Sequence, residues 1–209
     1  MTGLNRRMAA IAGAGVTLAI AGAAAAAGYT LKDTSFRDPT SGRVQQLTVE
    51  VDASADVVWA ALSTDGGLRG WVAPVVHVDL MNGGMLEASY SASSHIGDRE
   101  NIRNQIIAYV PGRMMAYHNV HVPKGAPADF ALLAALCTVI EIQPIDAGRS
   151  RIVESGVGYG DGPGFDSLYA HFTAGNRFEF EALAKSLTGH PVDWAAEAMA
   201  AKASVGDKK

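Results

Sequence analysis

The sequence predicts an α+β fold in which a curved antiparallel sheet of about six or seven strands wraps around a long C-terminal helix, with two short helices after the first strand. Three observations carry that prediction. Runs with a period of two fill the middle of the chain, Gly- and Pro-marked turns separate them at hairpin spacing, and one long stretch of helical periodicity closes the domain.

The elements follow in order. Residues 1–27 open with Arg6 and Arg7, continue through an uncharged alanine-rich stretch and end in Ala25-Ala26-Ala27, the layout of a secretory signal peptide. The alternative is an uncleaved N-terminal anchor, because the apolar stretch just reaches the ~20 residues that span a bilayer. The paired arginines also permit twin-arginine export. Residues 28–43 form a polar, extended lead-in with turn signals at Asp38-Pro39 and Ser41-Gly42. Leu47, Val49 and Val51 alternate with Thr48, Glu50 and Asp52 as a half-buried strand. Ser54 caps a short helix over 55–62, with Asp56 in its first turn, and Gly66-Gly67 is expected to stop it before a second brief turn at 68–71.

Strands are then expected around 76–80, 86–90, 102–110, 114–120, 138–142 and 151–157, separated by Asn82-Gly83-Gly84, Pro111-Gly112 and Asp146-Ala147-Gly148. In the last of these, Arg151, Val153, Ser155 and Val157 set the alternation. Gly160 to Gly164 leads through Pro163 into a helix over about 165–187, where Leu168, Phe172, Asn176, Glu179, Leu183 and Leu187 share one stripe. The domain therefore covers 44–188, and 189–209 is a tail with a charged, frayed end.

Composition narrows the function. Among 209 residues, 48% are apolar and 18% charged, which is enough apolar surface to offset ordering entropy and excludes a disordered chain. The net charge of −4, without a basic run, argues against nucleic acid as a partner and leaves membrane contact only through an uncleaved N-terminal segment. One cysteine, Cys137, permits neither an internal disulfide nor a cysteine metal site, and reads as an inert core thiol. The six histidines show no His-x-x-x-His or Glu-x-x-His pair, so no metal and no cofactor is expected. A Gly-x-Ser-x-Gly elbow is missing, and YGDGPG (159–164) lacks the Lys-Ser/Thr of a phosphate loop.

The polar positions on the closing helix stand out. Asn176 and Glu179 interrupt a stripe otherwise of Leu and Phe, so both face the interior as ligand anchors, or Glu179 serves as a general acid/base with a raised pKa. The competing structural reading is a rolled helix that returns Glu179 to solvent or to an arginine. Trp71, Tyr90, Tyr117, Tyr159, Tyr169 and Phe172 are bulky enough to line a cavity or simply to fill a core, as Trp59 does; His118 and His171 are the candidate cavity histidines. The polar run 93–104 either rims the cavity mouth or is a solvated hairpin. The apolar segment 122–137 is either a lid or a loop that packs down.

Several strings together resemble a known family. VDASADVVWAALSTDGGLRGWVAP (51–74) is similar to the opening of START/SRPBCC-superfamily domains of the heat-shock-ATPase-activator-like branch. Gly83-Gly84, YVPGRMMAY (109–117), TVIEIQPIDAGRSRIVESGVGYG (138–160) and HFTAGNRFEFEALAKSL (171–187) resemble that family's hairpin glycines, Pro-centred turn, last hairpin and closing helix. The resemblance implies the helix-grip fold, an antiparallel sheet gripping a C-terminal helix around a cavity, and a small apolar ligand; it carries over no catalytic residue. The resulting expectation is an exported protein that binds a small hydrophobic or amphipathic ligand between sheet and helix. The alternatives are an enzyme acting on such a ligand, or an envelope interaction module using the segment 122–136.

Overall fold

The structure, a computed structural model, describes residues 28–40, 42–126 and 129–206; the N-terminal segment 1–27, with its export signal or anchor, lies outside the described residues. Nine strands form one antiparallel sheet among the described residues. They are β1 (Tyr29–Asp33), β2 (Phe36–Asp38), β3 (Gly42–Val51), β4 (Val75–Val78), β5 (Met85–Ser89), β6 (Ile102–Val110), β7 (Met114–His121), β8 (Cys137–Pro144) and β9 (Ser150–Tyr159). The helices are α1 (Ala55–Ser63), α2 (Asp65–Arg69), α3 (Phe130–Leu133), α4 (Pro163–Leu187) and α5 (Trp194–Gly206). The sheet runs β1-β3-β9-β8-β7-β6-β5-β4, with β2 beside β1 on the same edge of β3.

The two strands beyond the expected number come from the lead-in. Leu31 pairs with Val49 and Phe36 with Val44, so backbone hydrogen bonding recruits a polar segment that hydrophobic alternation alone does not mark. Lys32, Asp33 and Arg37 leave this edge charged, which discourages pairing with another chain.

From β4 to β9 the chain meanders through hairpins, and β3 then closes against β9. Since β3 and β4 lie at opposite ends of that seven-strand run, the α1–α2 link must cross the sheet. Thr64 makes that link. Its hydroxyl accepts from Gly67 N–H at 3.0 Å, capping α2, and donates to Ala60 O at 2.7 Å, closing α1. Gly66 and Gly67 thus lie inside α2 rather than stopping α1. Gly67 is there for close approach, because a Cβ on it would stand 2.3 Å from Ala60 O and 2.5 Å from Ala61 Cα.

Register irregularities between β6 and β7, at Arg103/Asn104 and Ile106/Ala108, add local bend to the sheet. The long helix α4 lies against β3, β1 and α1, covering the concave face. It starts at Gly162, whose φ of 102° suits glycine, with Pro163 in the first turn. Between sheet and helices lies the main core, with Leu47, Val49, Ile106, Met115, Ile152, Phe180 and Leu183 buried. A smaller cluster joins Leu133 of α3 to Tyr159 and Leu168, with Leu132, Leu136, Phe165, Tyr169 and Phe172 around them. The apolar segment after β7 therefore packs down on the N-terminal half of α4. The tail is tied in as well, since Trp194 Nε1 donates to Arg69 O at 2.7 Å before α5 leads away.

Candidate functional site

Strand alternation decides what faces the helix. On β3 the inward set is Gln45, Leu47, Val49 and Val51. Register then carries that face outward: Leu47 opposes Glu154 on β9, Glu154 opposes Ile140 on β8, and Thr138 of β8 opposes Tyr117 of β7. The inward residues of β9 are thus Ser150, Ile152 and Glu154, the phase opposite to the Arg151–Val157 alternation expected from sequence. Glu154 is only 5% exposed, flanked by the buried Leu47 and Ile140.

From the helix side, α4 presents Phe172, Asn176, Glu179 and Leu183 toward the sheet, with Leu183 fully buried and the first three half-buried. Asn176 is satisfied within the protein. Its Nδ2 donates to Gln45 Oε1 at 3.0 Å, and Gln45 Nε2 donates to Phe172 O at 3.2 Å. That pair clamps the helix onto β3. Glu179, one turn further along, accepts from the Tyr90 hydroxyl at 3.2 Å.

The electrostatics of this interior are unusual. Burial pushes the Glu179 carboxyl up to about 7, against the pull of the Tyr90 hydrogen bond. Burial raises Glu154 to about 8, with the charge of Glu179 adding to the effect. The Tyr90 hydroxyl is held well above its ordinary range by the Glu179 charge and by burial; Tyr117 rises through burial and the charges of Glu154 and Glu179. Two acids and two phenols therefore share one electrostatic environment contributed by β7, β9, α4 and the turn just after β5. Tyr90, Tyr117 and Glu179 keep part of their surface accessible although their ionisable ends are buried.

The other expected site residues fall elsewhere. Trp71 is buried in the main core, edge-on to Phe180 with ring centroids 6.5 Å apart, and its Nε1 donates to Ala61 O. His118 alternates with Tyr117 and so occupies the opposite face of β7, near Gln105 at 3.4 Å. Tyr159 and Tyr169 meet edge to face at 5.0 Å in the smaller cluster, where Arg43 lies over the Tyr169 ring. Phe172 bridges that cluster to the Asn176 clamp. Burial lowers the pKa of His171, which contacts Phe172 ring to edge.

The polar run before β6 organises around Glu87. Its Oε1 accepts from Gly97 N–H at 2.7 Å and from Asn101 Nδ2 at 2.6 Å, while Arg103 approaches its other oxygen at 3.5 Å. Burial acts to raise this carboxyl, but these partners outweigh it and hold Glu87 below its ordinary value. Two surface grooves lie away from the inner cluster. One runs between α4 and α5 beside Phe178, Lys185 and Val192, and the other crosses the outer sheet at Thr48, Glu50 and Arg151. Among the described residues no group of three His, Cys, Asp or Glu side chains is placed to hold a metal, and no helix is long and apolar enough to cross a membrane.

Sequence reasoning reached Glu179, Tyr90 and Tyr117 but missed Glu154 and Gln45. The signal was present at Glu154, since it continues the phase of Ile152, an acid where an apolar residue is expected.

No protein-family model and no curated protein sequence matches the chain. Solved structures do. The Aha1 dimer protein from Colwellia psychrerythraea is similar at a TM-score of 0.52 and 11% identity, over 69% of this chain and 95% of that one. Protein MLL2253 from Mesorhizobium loti matches at 0.52 and 15%, over 69% and 97%. DynU16, from the dynemicin biosynthetic locus, matches at 0.51 and 18%, over 71% of this chain and 48% of that one. At such identities the likeness establishes architecture alone: the chain has the helix-grip fold, an antiparallel sheet closed by a long C-terminal helix.

Proposed function

We propose that the protein binds a small amphipathic molecule between the concave face of the sheet and α4, with its apolar body against the Leu, Ile and Met side chains and its polar end at Glu179 and Tyr90. One observation carries this reading: a cluster of two carboxyls and two phenols inside a wall otherwise built for apolar contact. A polar group placed there without use costs stability, so its retention points to a partner that enters the site. Native mass spectrometry of the protein purified from its own host is expected to show a co-purifying mass that leaves on denaturation. A bare protein mass, together with no thermal shift on adding an organic extract of the host, overturns the reading.

A second reading is supported by Glu179 itself. A carboxyl near 7 beside a phenol is suited to give and take a proton, so turnover of the bound molecule fits the same site. Export is proposed from the Arg6-Arg7 start and the Ala25–Ala27 exit of the N-terminal segment. N-terminal sequencing of the protein from a periplasmic fraction is expected to begin close after Ala27. Recovery of the intact N-terminus in membranes instead selects the anchor.

A further inference from the structure

Two buried acids of the sheet, one on β5 and one on β9, have opposite surroundings. Glu87 is 8% exposed and receives Gly97 N–H, Asn101 Nδ2 and the Arg103 guanidinium. Glu154 is 5% exposed, and no donor among the described residues hydrogen-bonds its carboxyl. The first is a structural carboxylate whose partners are built in. The second is an acceptor, buried by more than nine-tenths, that faces the concave side with its partners missing from the protein.

We propose that the polar end of the ligand is a protonated amine, seated between Glu154 and Glu179. The inference rests on the binding reading above and names the chemistry of the bound head group. The groups facing this point from each element leave little else. β3 contributes Gln45, whose amide is already engaged by Asn176 and Phe172 O. Tyr90, just after β5, and Tyr117 of β7 contribute neutral phenols, and only Tyr90 donates to Glu179. Arg43, the cation acting on Tyr159, is held by Asp166, by Gly160 O and over the Tyr169 ring. His171, on the helix, has its ring against Phe172. No Lys, Arg or His among the described residues pairs with either inner carboxyl.

An anionic head group here would meet two acids without a compensating base, whereas a cationic one supplies the charge that favours their ionised forms, which burial otherwise opposes. An ammonium brings both a positive charge and up to three N–H donors, the complement of carboxylates short of donors. A divalent metal fits less well, since the described residues offer no cage of three ligating side chains.

The test uses molecules that share a body and differ only in the head: hexylamine, hexanol and hexanoate, with the phenethyl counterparts, titrated calorimetrically into the purified protein at pH 7.5. The amines are expected to bind at least tenfold more tightly than the alcohols and the carboxylates more weakly still. Glu154→Gln is expected to collapse the amine-over-alcohol ratio toward one, with a thermal melt confirming its fold, and Glu154→Asp to keep most of the ratio. Alcohols or carboxylates equalling the amines overturn the amine inference while the binding reading stands. So does a Glu154→Gln protein that keeps the full preference. Silence from all the probes overturns the binding reading, and this inference with it.

Discussion

Glu154→Gln is expected to raise the melting temperature by roughly 10–20 °C at pH 8.5 and to change it little at pH 4.5, following the ~2–4 °C per kcal/mol typical of chains this size. In the unfolded chain this carboxyl ionises near its ordinary value of 4.5, whereas in the fold it keeps its proton up to about 8. Between those two values the native state binds more protons than the unfolded state, so stability falls as pH rises. The loss is complete above the folded pKa and amounts to about 5 kcal/mol, at about 1.4 kcal/mol for each pH unit separating the folded and unfolded pKa. Glutamine fills nearly the same volume and cannot ionise, so it escapes that loss.

Glu179 acts in the same direction up to about 7. His77, raised by its hydrogen bond to Asp65, also contributes on the acid side and loses its contribution as pH rises. His171, lowered by burial, works the opposite way. Glu87 and Asp146 are held below their ordinary values, so their contributions are lost only as pH falls through the acid range. The difference between variant and wild type separates Glu154 from all of these. Thermal melts of both proteins at pH 4.5 and 8.5 check it; a variant less stable than wild type at both values would place a stabilising carboxylate at this position.

Gly67→Ala is expected to destabilise the protein by about 3 kcal/mol or more, at the upper end of overpacking costs, because the new methyl collides with backbone rather than with a flexible side chain. The colliding atoms are Ala60 O and Ala61 Cα, so α1 and α2 must separate. That separation loosens Leu68 of α2, which is fully buried, and disturbs the contact between Trp71 and Ala61 O. Gly66→Ala is the control. No atom lies within 4 Å of a Cβ at Gly66, and alanine in a helix is favoured over glycine by about 0.5–1 kcal/mol. Urea unfolding of the two variants should therefore move in opposite directions. A Gly67→Ala protein as stable as wild type would show that the helices do not touch there.

These two glycines also show how far local pattern reaches. Adjacent glycines read locally as a helix stop, and only the packing of α1 against α2 reveals that one of them is a contact and the other incidental. The lead-in behaves alike: 28–43 has too little hydrophobic alternation to announce strands, yet β1 and β2 form because β3 offers an unpaired edge. Among site residues, Asn176 and Glu179 were legible from helical spacing, which fixes their common face to within a fraction of a turn. Strand residues were harder. A period of two has two phases, and on β9 the choice between Val153 and Ile152 as inward decides whether Glu154 is a surface acid or a buried one.

Sequence alone thus determined the antiparallel sheet, the closing helix and the stripe that turns Asn176 and Glu179 inward, because periodicity and turn chemistry are properties of neighbours along the chain. Tertiary structure decided the partners. It joined Glu179 to Tyr90 across 89 positions, satisfied Asn176 through Gln45, and set Glu154 between Leu47 and Ile140 without a donor. Burial and pairing depend on what register and packing bring alongside, and those long-range contacts set the charge of the interior.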